Sequence, residues 1–206
     1  METGLEEIKK QIEEAPLSKE ESKEQFIRVT KELGLKHSFD FDEAWEIGQE
    51  IRNRNKFREK IQEFQDKLLT SPIGKHIDED DEVMDLNPVK ETFADGCYVR
   101  EIYNPANEII ITKIHAKQHP FFLLEGEMSI LTHNGVEHLK APHYGITEPG
   151  IKRLIYTHTE CVFVTVHATE GKSWEEIEKE VVAEDFNDPR VALEDIKLIN
   201  KIKELL

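Results

Sequence analysis

The sequence predicts an α+β protein in three stretches: helical over residues 1–86, an antiparallel β-barrel or sandwich over 87–170, and helical again over 171–206. Three observations lead there. Through the first stretch, apolar residues recur at helical intervals behind side-chain caps. The middle stretch is a series of short β-branched and aromatic runs parted by turn residues, with no helical segment between them. The last stretch returns to capped segments of helical period.

Taken in order, Thr3 with Glu6 forms a capping box ahead of Leu5, Ile8 and Ile12, which share one helical face, and Pro16 ends that segment. Ser18 with Glu21 opens the next, which carries Phe26, Ile27, Val29 and Leu33 until Leu-Gly-Leu breaks it. Asp40 with Glu43 opens the longest, in which Trp45, Ile51, Phe57, Ile61, Phe64 and Leu68 recur at helical spacing; Thr-Ser-Pro-Ile-Gly stops it. The acidic run from Asp78 to Asp85 lacks the glycine and spaced acceptors of a calcium loop and reads as a solvated linker.

From Asn87 the composition changes. GCYVREIYNPANEIIITKIH, FFLLEGEMSILTHNGVEHLKAP, YGITEPGIKRLIY and CVFVTVHAT are strand-like, with NPAN, HNG and EPG supplying turn chemistry. Beyond them Ser173 with Glu176 caps SWEEIEKEVV. Asp188 followed by Pro189 opens a closing helix, where Val191, Leu193, Ile196 and Ile199 form an apolar face.

Charge and cysteine usage bound the function. A net charge of -16 in 206 residues argues against wrapping nucleic acid or lying on an anionic membrane, both of which need clustered Lys and Arg. Only Cys97 and Cys161 are present, too few for a disulfide framework or a zinc ribbon, and they fit a reducing compartment. The acidic amino terminus has no apolar core of a signal peptide, and no apolar run approaches the roughly 20 residues that span a bilayer. A cytoplasmic setting is expected, in a cell or a virus-infected host.

The informative stretch is KIHAKQHPFFLLEGEMSI, Lys113 to Ile130, followed by the EPG turn at 148–150. Its order of features resembles the cupin family, the double-stranded β-helix barrel. Gly126 falls on the glycine that closes the family's first motif. His115 falls on its second histidine, His119 on its glutamate and Lys113 on its first histidine. In the second motif Gly150 matches, Glu148 replaces the proline, and Arg153 stands where the third histidine belongs. Over roughly 87–182 the chain is similar to uncharacterised cupin-like proteins common in bacteriophages and bacteria. They share the Pro-Gly-x-x-Arg step, here Pro149 to Arg153, and a late Val-His, here Val166 and His167. The resemblance implies a cupin-like antiparallel β-barrel, pairing into a homodimer, and a bacterium or phage-infected host. It brings no activity with it.

Strand alternation agrees on geometry: Lys113 and His115 share a face, and His119, Phe121 and Leu123 point inward together. The barrel mouth would then hold one small ligand against Lys113, His115, His119, Phe121 and Arg153. Two chemistries suit it. The cations favour a small anion such as a carboxylate, phosphate or sugar phosphate, with His115 or His119 as a catalytic base held neutral by Lys and Arg. A divalent iron, nickel or zinc ion would instead take His115, His119 and His167, with Glu125 a weaker candidate. The plain alternative is a barrel whose histidines hydrogen-bond loop backbone.

The remaining residues read as structural. His133 and His138 face solvent, His143 lies in a loop, His158 and Tyr156 point outward with Tyr156 under a terminal helix, and both cysteines are small buried residues. The segment around 29–45 loosely matches a helix-turn-helix, but its second helix is acidic where phosphates would sit. The acidic helices suit a protein partner better, which gives a second hypothesis: a non-catalytic, virion- or host-directed interaction protein with the barrel as scaffold.

Overall fold

The computed structural model describes residues 18–32, 40–70 and 87–205. The expected cap at Thr3, the breaks at Pro16 and Leu-Gly-Leu, and the acidic run at 78–85 lie outside the described residues. The chain forms two compact units, Met1–Gln49 with Asn200–Leu206, and Glu50–Ile199.

In the first unit, α1 (Lys19–Glu32) begins at the expected capping box: Glu21 N donates to Ser18 Oγ at 3.2 Å and Ser18 N to Glu21 Oε2 at 2.9 Å. The next helix, α2 (Phe41–Leu69), starts in this unit, where Asp40 Oδ1 accepts from Glu43 N at 3.0 Å, and belongs to the second unit from Glu50 onward. Phe26 packs on Phe41, and Phe41 stacks on Trp45, with ring centroids 5.6 and 6.0 Å apart. That aromatic contact outweighs the exposed pairs Lys23–Asp42 and Lys19–Glu46, whose attraction water screens.

The second unit is built on strands. These are β1 (Val89–Ala94), β2 (Cys97–Asn104), β3 (Ile109–Ile111), β4 (Ile114–His115), β5 (His119–Glu125), β6 (Glu127–Thr132), β7 (Gly135–Lys140), β8 (His143–Thr147), β9 (Leu154–Thr157), β10 (Cys161–Ala168) and β11 (Val182–Ala183). They form a five-stranded sheet in the order β1-β2-β10-β5-β8, a four-stranded sheet β3-β9-β6-β7, and the pair β11-β4, with antiparallel pairing throughout. The chain passes repeatedly from one large sheet to the other, and both inner faces share one apolar core of Phe121, Leu123, Met128, Ile130, Leu139, Ile155, Cys161 and Phe163. This is the expected α+β architecture with antiparallel sheets. Strand alternation produces the core, and a fully buried side chain such as Leu123 contributes about 2 kcal/mol.

Two motif glycines are required by their surroundings. Gly126 has φ +88°, and a Cβ there would lie 2.2 Å from the Glu160 carbonyl oxygen. Gly150 has φ +76°, and its Cβ would meet Val191 at 2.9 Å. The latter turn is tied to the site strand, because Gly150 N donates to the His115 carbonyl at 2.8 Å.

The closing helices are α3 (Trp174–Val181), capped by Ser173, and α4 (Pro189–Leu205), capped by Asp188. The expected helix over SWEEIEKEVV is one residue too long: Val182 leaves it to pair with His115 as strand β11. Arg190 secures the exit by donating to the carbonyls of Lys179, Glu180 and Val182. On α4, Val191 is buried as expected, but Ile196 and Ile199 are exposed, so its apolar face is narrower than the spacing implied. Arg54 and Arg58 of α2 reach Asp195 at 3.2 and 2.6 Å.

Three further expectations are corrected. His143 belongs to β8 and sits half-buried 6.2 Å from the Phe121 ring. Cys97 is half-buried where Cys161 is buried. His133 is half-buried, where burial and the nearby Arg54 push its pKa down. Among the described residues, no helix is long and apolar enough to cross a membrane.

Candidate functional site

The register of β10 decides the site. Its inward residues Phe163, Thr165 and His167 stand opposite Ile102, Arg100 and Tyr98 of β2, and Thr165 stands opposite Phe121 of β5. Two residues along that antiparallel pair, His119 comes beside His167, and β4 brings His115 against both. The ring centroids of His115 and His119 are 4.3 Å apart, those of His119 and His167 also 4.3 Å, and those of His115 and His167 5.9 Å. The expected convergence of His115, His119 and His167 is observed.

These rings are in the wrong place for charge. His119 and His167 are 2% and 3% exposed. Burial pushes their pKa values down to about 4 and about 3, helped by Arg153 in the first case and by His119 and Arg100 in the second. His115 is held well below the usual range by burial and by His119, His167, Arg153 and Arg100. All three are neutral at pH 7. His119 Nδ1 lies 3.1 Å from the Lys117 carbonyl, so that nitrogen carries the proton and Nε2 keeps its lone pair. His167 Nε2 meets Thr165 Oγ1 at 3.2 Å. His115 Nδ1, His119 Nε2 and His167 Nδ1 are buried with no hydrogen-bond partner among the described residues. Such groups usually have one.

Above them a cavity of about 1060 Å³ is lined by the three histidines, Lys113, Arg100, Thr165, Lys152 and Arg153, over an apolar floor of Met128, Ile155 and Phe163. Gln62 and Gln65 of α2 form one wall and receive the Lys152 ammonium, whose pKa burial lowers. Arg153 is 7% exposed. Its Nη2 donates to Thr147 Oγ1 at 2.6 Å, and the guanidinium lies 4.6 Å over the Phe121 ring. Burial brings its pKa down to about 10, so it remains a cation at neutral pH.

The other expected ligand residues are placed less centrally. Lys113 lines the cavity at its rim, but its ammonium is 2.5 Å from Glu178, which offsets its charge. Phe121 does not line the cavity; it is 5% exposed in the core, stacked on Phe163 at 5.3 Å, and supports Arg153 from below. Glu125 is exposed at the far end of β5. Arg100 and Lys152 were missed by the sequence reading, although Arg100 alternates with Tyr98 and Ile102 on the inward face of β2.

Three neutral imidazoles with orphaned nitrogens have the donor chemistry for a divalent iron, nickel or zinc ion. Against that, among the described residues no three His, Cys, Asp or Glu side chains already stand as a ready metal-ligand set, and the two nearby arginines oppose a cation. Ring rotations would be needed to bring His115, His119 and His167 onto one ion.

No protein-family model matches the chain, and no curated protein matches it. Among solved structures it is similar to a protein of Neisseria meningitidis, at 11% identity and a TM-score of 0.35 over 39% of this chain and 82% of the other. A cupin-2 domain protein of Shewanella frigidimarina gives 11%, 0.35, 39% and 79%. An acetylacetone dioxygenase of Acinetobacter johnsonii gives 18% and 0.33 over 39% of this chain and only 58% of its own.

Proposed function

We propose that the pocket binds a small anionic molecule, with Arg153 as its anchor. The observation that carries this is a guanidinium 7% exposed that has no carboxylate within ion-pair reach among the described residues. A buried cation with no paired carboxylate is costly, the charge of Glu137 on β7 offsetting it only from beyond ion-pair distance, and an anion entering the cavity relieves that cost. The neutral histidines can donate or accept hydrogen bonds to the same molecule. His119, its Nδ1 proton fixed by the Lys117 carbonyl, offers a lone pair at Nε2 as proton acceptor. Because an adjacent anion raises an imidazole's pKa, bound ligand brings His119 and His115 closer to the range useful for acid–base chemistry.

A second reading rests on the three orphaned nitrogens: His115, His119 and His167 holding a divalent transition metal. When bound, such an ion would act as a Lewis acid toward an anionic ligand.

One experiment weighs both. Protein treated with chelator is melted against acetate, phosphate and a sugar phosphate, and separately against zinc, nickel and ferrous ion, alongside elemental analysis of untreated protein. An anion at about 100 times its Kd should stabilise by about 2.7 kcal/mol, and Arg153→Gln should abolish that gain. Stabilisation by metal alone, lost in His115→Ala, favours the second reading. A flat response to every anion and metal sinks both and leaves the barrel as a scaffold, whose exposed edge strand β8, with Tyr144 and Ile146 outward, would be the surface to pursue.

A further inference from the structure

Arg153 is not the only cation in this cavity without a paired carboxylate among the described residues, though Glu137 acts on it from a distance. Arg100 also lines it, its guanidinium 4.6 Å over the Trp174 ring. Its Nε is buried with no hydrogen-bond partner, and no carboxylate pairs with it among the described residues. The two arginines are built alike: each guanidinium carbon lies 4.6 Å over an aromatic ring, a contact that spends none of its N–H donors and leaves them, apart from the Arg153 Nη2 bond to Thr147, for something else.

They also stand on opposite sides of the imidazole cluster. Arg153 donates to Thr147, the strand partner of His119. Arg100 stands opposite Thr165, whose hydroxyl meets His167. The electrostatics follow the same division, since Arg153 depresses His119 and Arg100 depresses His167, while His115 feels both. None of the cavity's carboxylates pairs with either arginine among the described residues. Glu178 is taken by Lys113, and Asp185 accepts from the Asn187 backbone; Glu184 also lines the wall without pairing with either arginine.

We infer that the ligand is doubly anionic, with one acidic group held by Arg153 and the other by Arg100, and its middle lying across His115, His119 and His167. Small dicarboxylates and phosphorylated carboxylic acids have that chemistry. Planar guanidinium edges suit both carboxylate and phosphate, and two fixed forks select for a molecule with an acid at each end. The inference rests on the anion-binding reading and adds Arg100 and the second acidic group to it.

The test is calorimetric titration at constant ionic strength. Malonate, succinate, glutarate, adipate and 3-phosphoglycerate are compared with acetate, butyrate and inorganic phosphate, on the wild-type chain and on Arg100→Gln, Arg153→Gln, Arg100→Lys and Arg153→Lys. At least one two-ended acid should bind about 100-fold tighter than the single-ended acids, the return on a second charge-assisted contact at about tenfold per 1.4 kcal/mol. Either glutamine variant should reduce that acid to the single-ended level, and each lysine variant should recover part of the loss. Circular dichroism checks that the variants fold. If a glutamine variant does not, its lysine counterpart and the wild-type ratio decide. Equal binding of one- and two-ended acids, or a two-ended acid indifferent to Arg100, overturns this inference while leaving an anion pocket on Arg153. No binding by any of them removes the pocket reading itself.

Discussion

The unit from Glu50 to Ile199 carries two clusters of histidine rings, and they are opposites. Inside lie His115, His119 and His167, with nearest centroids 4.3 Å apart. Outside, on the solvent face of the β6-β7-β9 sheet, His138 and His158 are 4.9 Å apart, with Tyr156 edge-on to His158 at 5.0 Å. In the outer cluster Ser129 Oγ lies 2.8 Å from His158 Nε2 and 3.4 Å from His138 Nδ1, and Glu127 lies 3.7 Å from His138 Nε2. Side-chain partners and water meet its hydrogen-bonding needs. The inner cluster has similar ring spacing but, among the described residues, three nitrogens with no partner and two guanidinium groups beside it that no carboxylate pairs with. Proximity of rings therefore does not mark a site. What separates the two clusters is burial without satisfaction, a cost that folding has to offset.

The largest expected consequence of that contrast is in acid. The inner rings titrate near 6.5 when unfolded and well below that when folded, so the unfolded chain binds protons that the native state refuses. Their contribution to stability is complete above about pH 6.5 and falls as pH drops toward the folded values, about 4 for His119 and about 3 for His167. Each ring costs up to about 1.4 kcal/mol per pH unit across that window. Denaturant unfolding of chelator-treated protein at pH 7.5, 6.5, 5.8 and 5.2 should show the decline before most carboxylates titrate. A His119→Gln, His167→Gln double variant should flatten it, whereas His138→Gln with His158→Gln should leave the slope as it was. A wild-type curve level from pH 7 to 5.2 would mean the inner rings are not held neutral.

Much of this contrast was legible in the sequence and part was not, for a physical reason. The caps at Ser18, Asp40, Ser173 and Asp188 are local hydrogen bonds between residues at most three apart, so the residue types announce them. Period-two alternation was enough to aim His115, His119 and Arg153 inward and His158 outward. Alternation marks Arg100 as inward-facing, but its place in the site, like that of Lys152 and the Gln62–Gln65 wall, was not visible because it is set by the β2–β10 register and the packing of α2, contacts between segments far apart in sequence. Lys113 had the right address, but Glu178, 65 residues away, could not be foreseen as its partner. Val182 was misread for the same reason: its strand partner His115 lies in a distant segment.

A medium effect follows from the unsatisfied state itself. His119→Leu removes the buried Nε2 and puts a side chain of similar bulk against an apolar floor. The Lys117 carbonyl it releases belongs to an exposed residue and can turn to water. Native stability at pH 7 should therefore rise by about 1 kcal/mol, the lower end of the cost of an unmet buried polar group, while anion or metal binding disappears. Thermal melts of both proteins after chelator treatment make the comparison. A loss of more than about 1 kcal/mol would show that Nε2 has a partner in solution.

The smallest effect belongs to the outer cluster and tests whether it is as inert as its partners imply. His158→Gln gives up one hydrogen bond to Ser129 and an edge-on contact with Tyr156, on a face where water replaces the first at once. The change in stability should stay within about 0.5 kcal/mol, as for most exposed substitutions, and ligand binding in the cavity should be unaltered. Distant sites with no shared partner add independently, so combining His158→Gln with His119→Leu should reproduce the sum of the two. Non-additivity beyond about 0.5 kcal/mol would mean that the two histidine clusters communicate through the sheets, and the line drawn here between a satisfied surface and an unsatisfied interior would have to be moved.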